Sequence, residues 1–206
     1  MNKRTNKWIL AAALALCSFG NAMAEQPESD WKSEIGFSYG FMSDFSWLGP
    51  YTDRGDAFKD VDFKNKTFIG PLSVEYFHRV KPNLSLGAIF GVGMKKEDVY
   101  LIGERGGKNG ESTNYYLTLM PSLKYEWMHK KHFNLYSKIA LGASFGMENF
   151  KYDDASYRAH SSHSFYVNFQ ASPLGIESTG EKTRFFAELG VGEQGLALVG
   201  VRFRLK

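Results

Sequence analysis

The side chains most able to do chemistry lie in a few short stretches. His160-Ser161-Ser162-His163-Ser164 offers nucleophiles beside bases. Ester hydrolysis by such a pair needs the base within hydrogen-bond reach of the hydroxyl and an acid to orient it. On a strand, residues two apart share a face. That pairs His163 with Ser161 and His160 with Ser162. Glu148, Asp153 or Asp154 would supply the acid, though spacing places none of them. Arg54-Gly55-Asp56 is a short attachment-type tripeptide, in a segment where Gly and Asp also serve turns. Asp44, Asp53, Asp56, Asp60 and Asp62 gather acid in the same segment but lack the ligand spacing of a helix–loop–helix calcium site. His129 and His132 bracket Lys130-Lys131, and two histidines without further ligands make a poor zinc site. No Gly-rich phosphate loop, cysteine cluster or dinucleotide fingerprint occurs, so no cofactor or metal is expected.

The remaining chemistry is charge, and it recurs at fixed parity: Glu75, Arg79, Lys124, Glu126, Lys138, Arg184, Glu188, Arg202 and Arg204 all alternate with apolar neighbours. The elements that must hold them read as strands of period two. In 33–42, Ile35, Phe37, Tyr39 and Phe41 oppose Glu34, Gly36, Ser38 and Gly40. In 68–80, Leu72, Val74 and Tyr76 oppose Ser73, Glu75, Phe77 and Arg79. Further strands follow at about 84–93, 114–127, 133–146, 164–177, 184–192 and 196–205. Pro121 and Pro173 lack an N–H, and each is expected to mark a bulge. At Pro173 the alternation also slips, so that Leu174 and Ile176 take the other parity.

Eight strands is an even number, as single-chain bacterial barrels have. The connections alternate in length. Those at about 43–67, 95–113 and 147–163 are long, and those at 81–83, 129–132 and 178–183 are short. Long outer loops and short periplasmic turns are the asymmetry of an outer-membrane barrel. The connection 193–195 is the short exception on the outer side.

Glycine decides which face is inside. Gly36, Gly40, Gly87, Gly91, Gly93, Gly142, Gly146, Gly190, Gly192 and Gly200 share the parity of the charges. A narrow lumen needs small residues between long polar ones, whereas glycine on a solvated face costs strand propensity without return. Tyr76, Tyr125, Trp127, Phe133 and Phe203 lie on the other parity near the short-turn ends, where aromatic rings anchor at a membrane interface. The prediction is an all-β chain: an eight-stranded antiparallel up-and-down transmembrane barrel. Its apolar face meets lipid, and its lumen holds ion pairs rather than an open pore.

The N-terminus agrees with export. Lys3, Arg4 and Lys7 precede an apolar run from Trp8 to Phe19, and Ala22-Met23-Ala24 offers a cleavage site. The run is shorter than the roughly 20 residues a membrane helix needs. Leu16 before Cys17 does not suit lipidation. Residues 1–24 are expected to be a signal peptide and 25–206 the barrel domain, so the only cysteine leaves with the signal. The signal also takes three of 25 basic residues and none of 22 acidic ones. The remaining charge is balanced, and nucleic acid is not an expected partner.

The stretches Gln170-Ala171-Ser172-Pro173-Leu174-Gly175-Ile176-Glu177, Phe186-Ala187-Glu188-Leu189-Gly190-Val191-Gly192 and Gly200-Val201-Arg202-Phe203-Arg204 look like the closing strands of one barrel group. Over most of 31–206 the chain resembles the small outer-membrane β-barrel domain family, which includes eight-stranded opacity and attachment-type proteins. The resemblance implies residence among outer-membrane lipids and lipopolysaccharide, and insertion by barrel-assembly machinery that reads a terminal aromatic. Here Phe203 stands two before Leu205, ahead of Lys206. The expected function is a non-enzymatic outer-membrane barrel with a structural or surface-adhesion role toward a host or extracellular ligand. The alternatives are an enzyme acting on outer-membrane lipid or lipopolysaccharide, and a soluble periplasmic barrel that binds an apolar ligand.

Overall fold

The structure is a computed structural model that describes residues 31–41, 61–101, 110–152 and 160–205. Eight strands follow in order: β1 Ser33–Phe41, β2 Val61–Lys81, β3 Leu84–Leu101, β4 Gly110–His129, β5 Phe133–Tyr152, β6 His160–Ser178, β7 Thr183–Gly192 and β8 Ala197–Leu205. Each pairs antiparallel with the next, and β1 closes on β8 from Ser33↔Leu205 to Phe41↔Ala197. The sheet is a closed up-and-down barrel with no edge inside the ring.

The two faces separate by chemistry as well as by parity. Outward residues are apolar and bare: Leu141 is 64% exposed and Phe185 71%. Inward residues include Arg202 and Lys124 at 0%. A water-soluble barrel would have buried the leucines and solvated the arginine. Here the closed ring satisfies its backbone internally and offers hydrocarbon an apolar band, which is the only way strands can span a bilayer.

Glycine parity has a concrete cause. Three of the rings that point into the lumen each lie against the glycine paired with them across the ladder: Phe77 on Gly87, Tyr136 on Gly175, and Phe186 on Gly200. A Cβ at these glycines would meet ring atoms at 2.7, 2.4 and 2.5 Å respectively. The lumen is therefore packed with rings and charges, and not with charges alone.

Two expectations need correction. The predicted long loops at 95–113 and 147–163 are mostly strand, and β2 already begins at Val61. These outer halves carry polar residues on both faces, as in Lys95-Lys96-Glu97-Asp98 and Glu111-Ser112-Thr113-Asn114. Here water replaces hydrocarbon outside while the inward Glu97, Ser112 and Asn114 are buried but polar, so polar residues stand on both faces and the apolar–polar alternation of the membrane half ends. No bulge occurs at Pro121. It pairs with Ala88, and the β4–β5 register is the same at Leu119↔Ala143 and Ser122↔Ala140. The β4–β5 shift lies instead between Glu126 and Met128. The bulge at Pro173 is present, with register breaks on both sides of β6 and Ser137 Oγ donating to the Pro173 carbonyl at 2.6 Å.

Strand length is uneven. β2 to β6 run 18–21 residues, whereas β1, β7 and β8 run 9 or 10. A tilted strand crosses hydrocarbon in about 9–11 residues. The short strands just span it, and β2 to β6 continue outward as a five-stranded wall. β1 leaves β2 at Tyr39↔Leu72, and β7 leaves β6 at Gln170↔Gly192.

Candidate functional site

The lumen charges converge on Arg202 from β8. One guanidinium nitrogen donates to Glu177 from β6 at 3.0 Å and to the Tyr136 hydroxyl from β5 at 2.9 Å. The other reaches Glu75 from β2 at 2.9 Å and Glu188 from β7 at 3.0 Å. Tyr136 in turn donates to Glu188 at 2.7 Å. Lys138 sits 2.7 Å from Glu75 and 2.8 Å from Glu188. Lys124 contacts Glu34 and Glu177 at 2.8 Å and Glu126 at 3.3 Å. Arg184 pairs with Glu177, and His129 with Glu126 at 2.8 Å.

These groups are buried, and a buried charge without a partner is expensive. Alternation of sign across the ring is what makes the interior tolerable. Seven of the eight strands supply the four acids and three cations of the inner layer, so the network also ties the wall together across the lumen. It fills the bore, as an eight-stranded barrel's narrow interior allows.

Of the residues predicted to form this network, Glu75, Lys124, Glu126, Lys138, Arg184, Glu188 and Arg202 are brought together. Arg79 and Arg204 sit at its short-turn edge, within the field of Glu34, Glu126 and Glu177. Their guanidinium carbons stand 3.7 and 4.3 Å from the ring centroid of Trp31. This cation–π stack caps the periplasmic end. Sequence reading missed Glu34, Tyr136 and Glu177 as members. Glu34 shares the parity of Gly36, and Glu177 comes inward once the Pro173 slip is counted, so the signals were present.

A second buried group lies higher. The β7–β8 connection folds into the barrel, with Gly192 and Gly195 at φ of 130° and 106°, a region where L side chains are strained. This puts Glu193 inside, 5% exposed. Its Oε1 accepts from Thr118 at 3.0 Å and Ser144 at 2.8 Å, with Tyr166 at 3.5 Å. Thr118 also meets Ser144, and Asn168 donates to Ser144. Burial outweighs these donors and pushes the Glu193 carboxyl up to about 7. Gln194 reaches down to Glu75 at 3.1 Å and so links the two layers.

The hydrolase-type constellation is not assembled around His163. Its ring faces outward and stacks on Phe145 at 5.6 Å. Glu148 points inward and accepts from Ser112 at 3.0 Å, on the other side of the wall. Ser162 lies opposite Glu148 in register, but the His160 side chain lies outside the described residues. Asp153, Asp154, Arg54-Gly55-Asp56, Asp44, Asp53 and Asp60 also lie outside them, as does the predicted signal peptide; Asp62 falls in β2 without a described side chain. Among the described residues no group of three His, Cys, Asp or Glu is placed to hold a metal.

No family model and no curated protein matches the chain. Several solved structures are similar in shape. The attachment invasion locus protein Ail of Yersinia pestis, solved with the heparin analogue sucrose octasulfate, is 12% identical; the match covers 86% of this chain and 96% of that one, with a TM-score of 0.45. The outer membrane protein OprG of Pseudomonas aeruginosa is 14% identical over 88% and 99%, with a TM-score of 0.48. The outer membrane protein AlkL, solved in lipid bilayers, is 12% identical over 90% and 93%, with a TM-score of 0.32. The architecture rests on the chain's own strand pairing and on its apolar exterior, to which these likenesses add nothing further. On that ground the chain is a small eight-stranded transmembrane β-barrel of the bacterial outer membrane.

Proposed function

We propose that this barrel is a non-enzymatic surface protein that acts by contact with an extracellular or host ligand. The observation that supports this reading is the projecting wall. β2 to β6 continue about twice as far as the bilayer requires, and a filled lumen gives that extra length no use as a conduit. Its rim carries the connections 42–60, 102–109 and 153–159, the first of which holds Arg54-Gly55-Asp56. Outer loops set on a rigid barrel are where such proteins place recognition.

The same reading has residues 1–24 removed on export, residues 25–206 inserted by the barrel-assembly machinery, and lipopolysaccharide around the outer half. Sequencing the N-terminus of the protein from an outer-membrane fraction checks the first step; a start other than Glu25 counts against it. For function, the chain is expressed in a non-adherent bacterium and binding to host cells and matrix is scored. A variant with β3–β4 and β5–β6 trimmed back to the bilayer serves as comparison. Gain of binding by the full chain and loss in the trimmed, still heat-modifiable variant is expected. No gain over the empty strain would sink the proposal. Release of fatty acid from outer-membrane lipids by refolded protein, lost in His163→Ala, would replace it with an enzyme.

A further inference from the structure

The short-turn end of the barrel is strongly basic. Lys32 ahead of β1, Lys81 in the β2–β3 turn, Lys130 and Lys131 in the β4–β5 turn, and Lys182 in the β6–β7 turn are all exposed. Glu181 is the one exposed acid among the described turn residues there. None of the five lysines has an ion-pair partner among the described residues. The opposite end differs: outward of the apolar band, Lys96 and Lys151 stand with Asp98 and Glu111, and the signs mix.

Position shows what the lysines face. Outward apolar side chains lie next to the lysines of the three turns. Phe133 follows Lys131 by two residues, Phe185 follows Lys182 by three, and Val80 directly precedes Lys81. At about 3.4 Å per residue, these lysines leave the chain roughly 3–10 Å beyond the last apolar side chain. Aromatic side chains mark the interface, and lysine stems reach from it to the headgroups. The lysines also surround the barrel, with contributions from four separate places on the ring. A protein docked beneath one side would meet one or two of them, whereas a shell of lipids meets all.

The geometry points to a ring of lysines that selects anionic phospholipid headgroups, of the phosphatidylglycerol class, around the periplasmic end of the barrel. Juxtamembrane lysine attracts such headgroups in a salt-screened way. Contact with one such lysine favours an anionic headgroup about fivefold over a zwitterionic one.

The test uses the refolded barrel in vesicles with spin-labelled phosphatidylglycerol or phosphatidylcholine at low salt. Selectivity is read from the motionally restricted lipid. Preference for phosphatidylglycerol of about fivefold is expected, falling toward one at high salt. In the variant Lys32→Gln, Lys81→Gln, Lys130→Gln, Lys131→Gln, Lys182→Gln it falls toward one even at low salt. These side chains are exposed, and retained heat-modifiable mobility checks the fold. The outer-end variant Lys96→Gln, Lys151→Gln keeps the preference. Equal selectivity for both lipids in the native chain overturns the inference, and so does a preference that survives in the five-lysine variant. If that variant instead loses co-sedimentation with purified peptidoglycan while its lipid selectivity is unchanged, the ring serves the acidic wall polymer and the lipid assignment falls.

Discussion

Arg202→Met removes the cation on which the lumen network converges. Arg202 is fully buried and joins Glu75, Glu177 and Glu188 at 2.9–3.0 Å, with Tyr136 between. Without it, Glu34, Glu75, Glu177 and Glu188 are left with Lys124 and Lys138, and with Arg184 at Glu177. Removing one partner of a buried pair costs about 3–5 kcal/mol, because the remaining charge stays buried. An exposed pair would cost about 1 kcal/mol or less. Methionine keeps much of the arginine volume, so little of the effect is a cavity. With an m-value of about 2 kcal/mol per molar urea, the unfolding midpoint falls by about 2 M. The assay is urea unfolding of the barrel in vesicles, followed by tryptophan fluorescence and by heat-modifiable mobility. Adding Glu75→Gln to Arg202→Met removes an orphaned charge and is expected to recover part of the loss, as a double-mutant cycle reads directly. A midpoint shift under about 0.5 M in the single variant refutes the reasoning, since a network worth so little is not holding the ring together.

Glu193 gives the barrel a pH dependence. Its carboxyl is held up to about 7 in the folded chain against 4.5 as the ordinary value. The stabilising protonated form is fully present below pH 4.5 and is lost as pH rises through 7, a loss of at most about 3 kcal/mol. Glu193→Gln should flatten that part of the urea-midpoint profile, and an unchanged slope would remove Glu193 as its source. Gly175→Ala places a Cβ 2.4 Å from the Tyr136 ring, which Glu188 and Arg202 hold in place. We expect a loss of about 1–3 kcal/mol. In Gly91→Ala the nearest atom lies 3.5 Å away, so that variant should unfold like the native chain. In planar bilayers the native barrel should show no steady channel, because ion pairs cross its bore; persistent single-channel steps would contradict a filled lumen.

How much the chain announced differs between its two halves. In the membrane half, strand number, parity and facing were readable because hydrocarbon and lumen impose opposite demands on alternate residues. Val74 must differ from Glu75, and Leu141 from Gly142. In the outer half the readable pattern stopped at about Gly93 and Gly146, while the strands did not. Water outside and a polar interior both accept charge, so exposed Lys96 and buried Glu97 show no apolar–polar contrast, and backbone pairing continues where the alternation has ended.

Composition and period two were enough, by themselves, for a closed barrel with its charges inside. They could not say which charge meets which. Arg202 and Glu75 are 127 positions apart and meet only because β8 closes on β1, which brings β2 to the same side of the lumen. Glu193 enters the barrel only because glycines at 192 and 195 let the turn fold inward. Periodicity reports the environment of each residue along one strand. Distances between strands depend on ring closure, register and the bulge at Pro173, and these arise only once the whole sheet is paired.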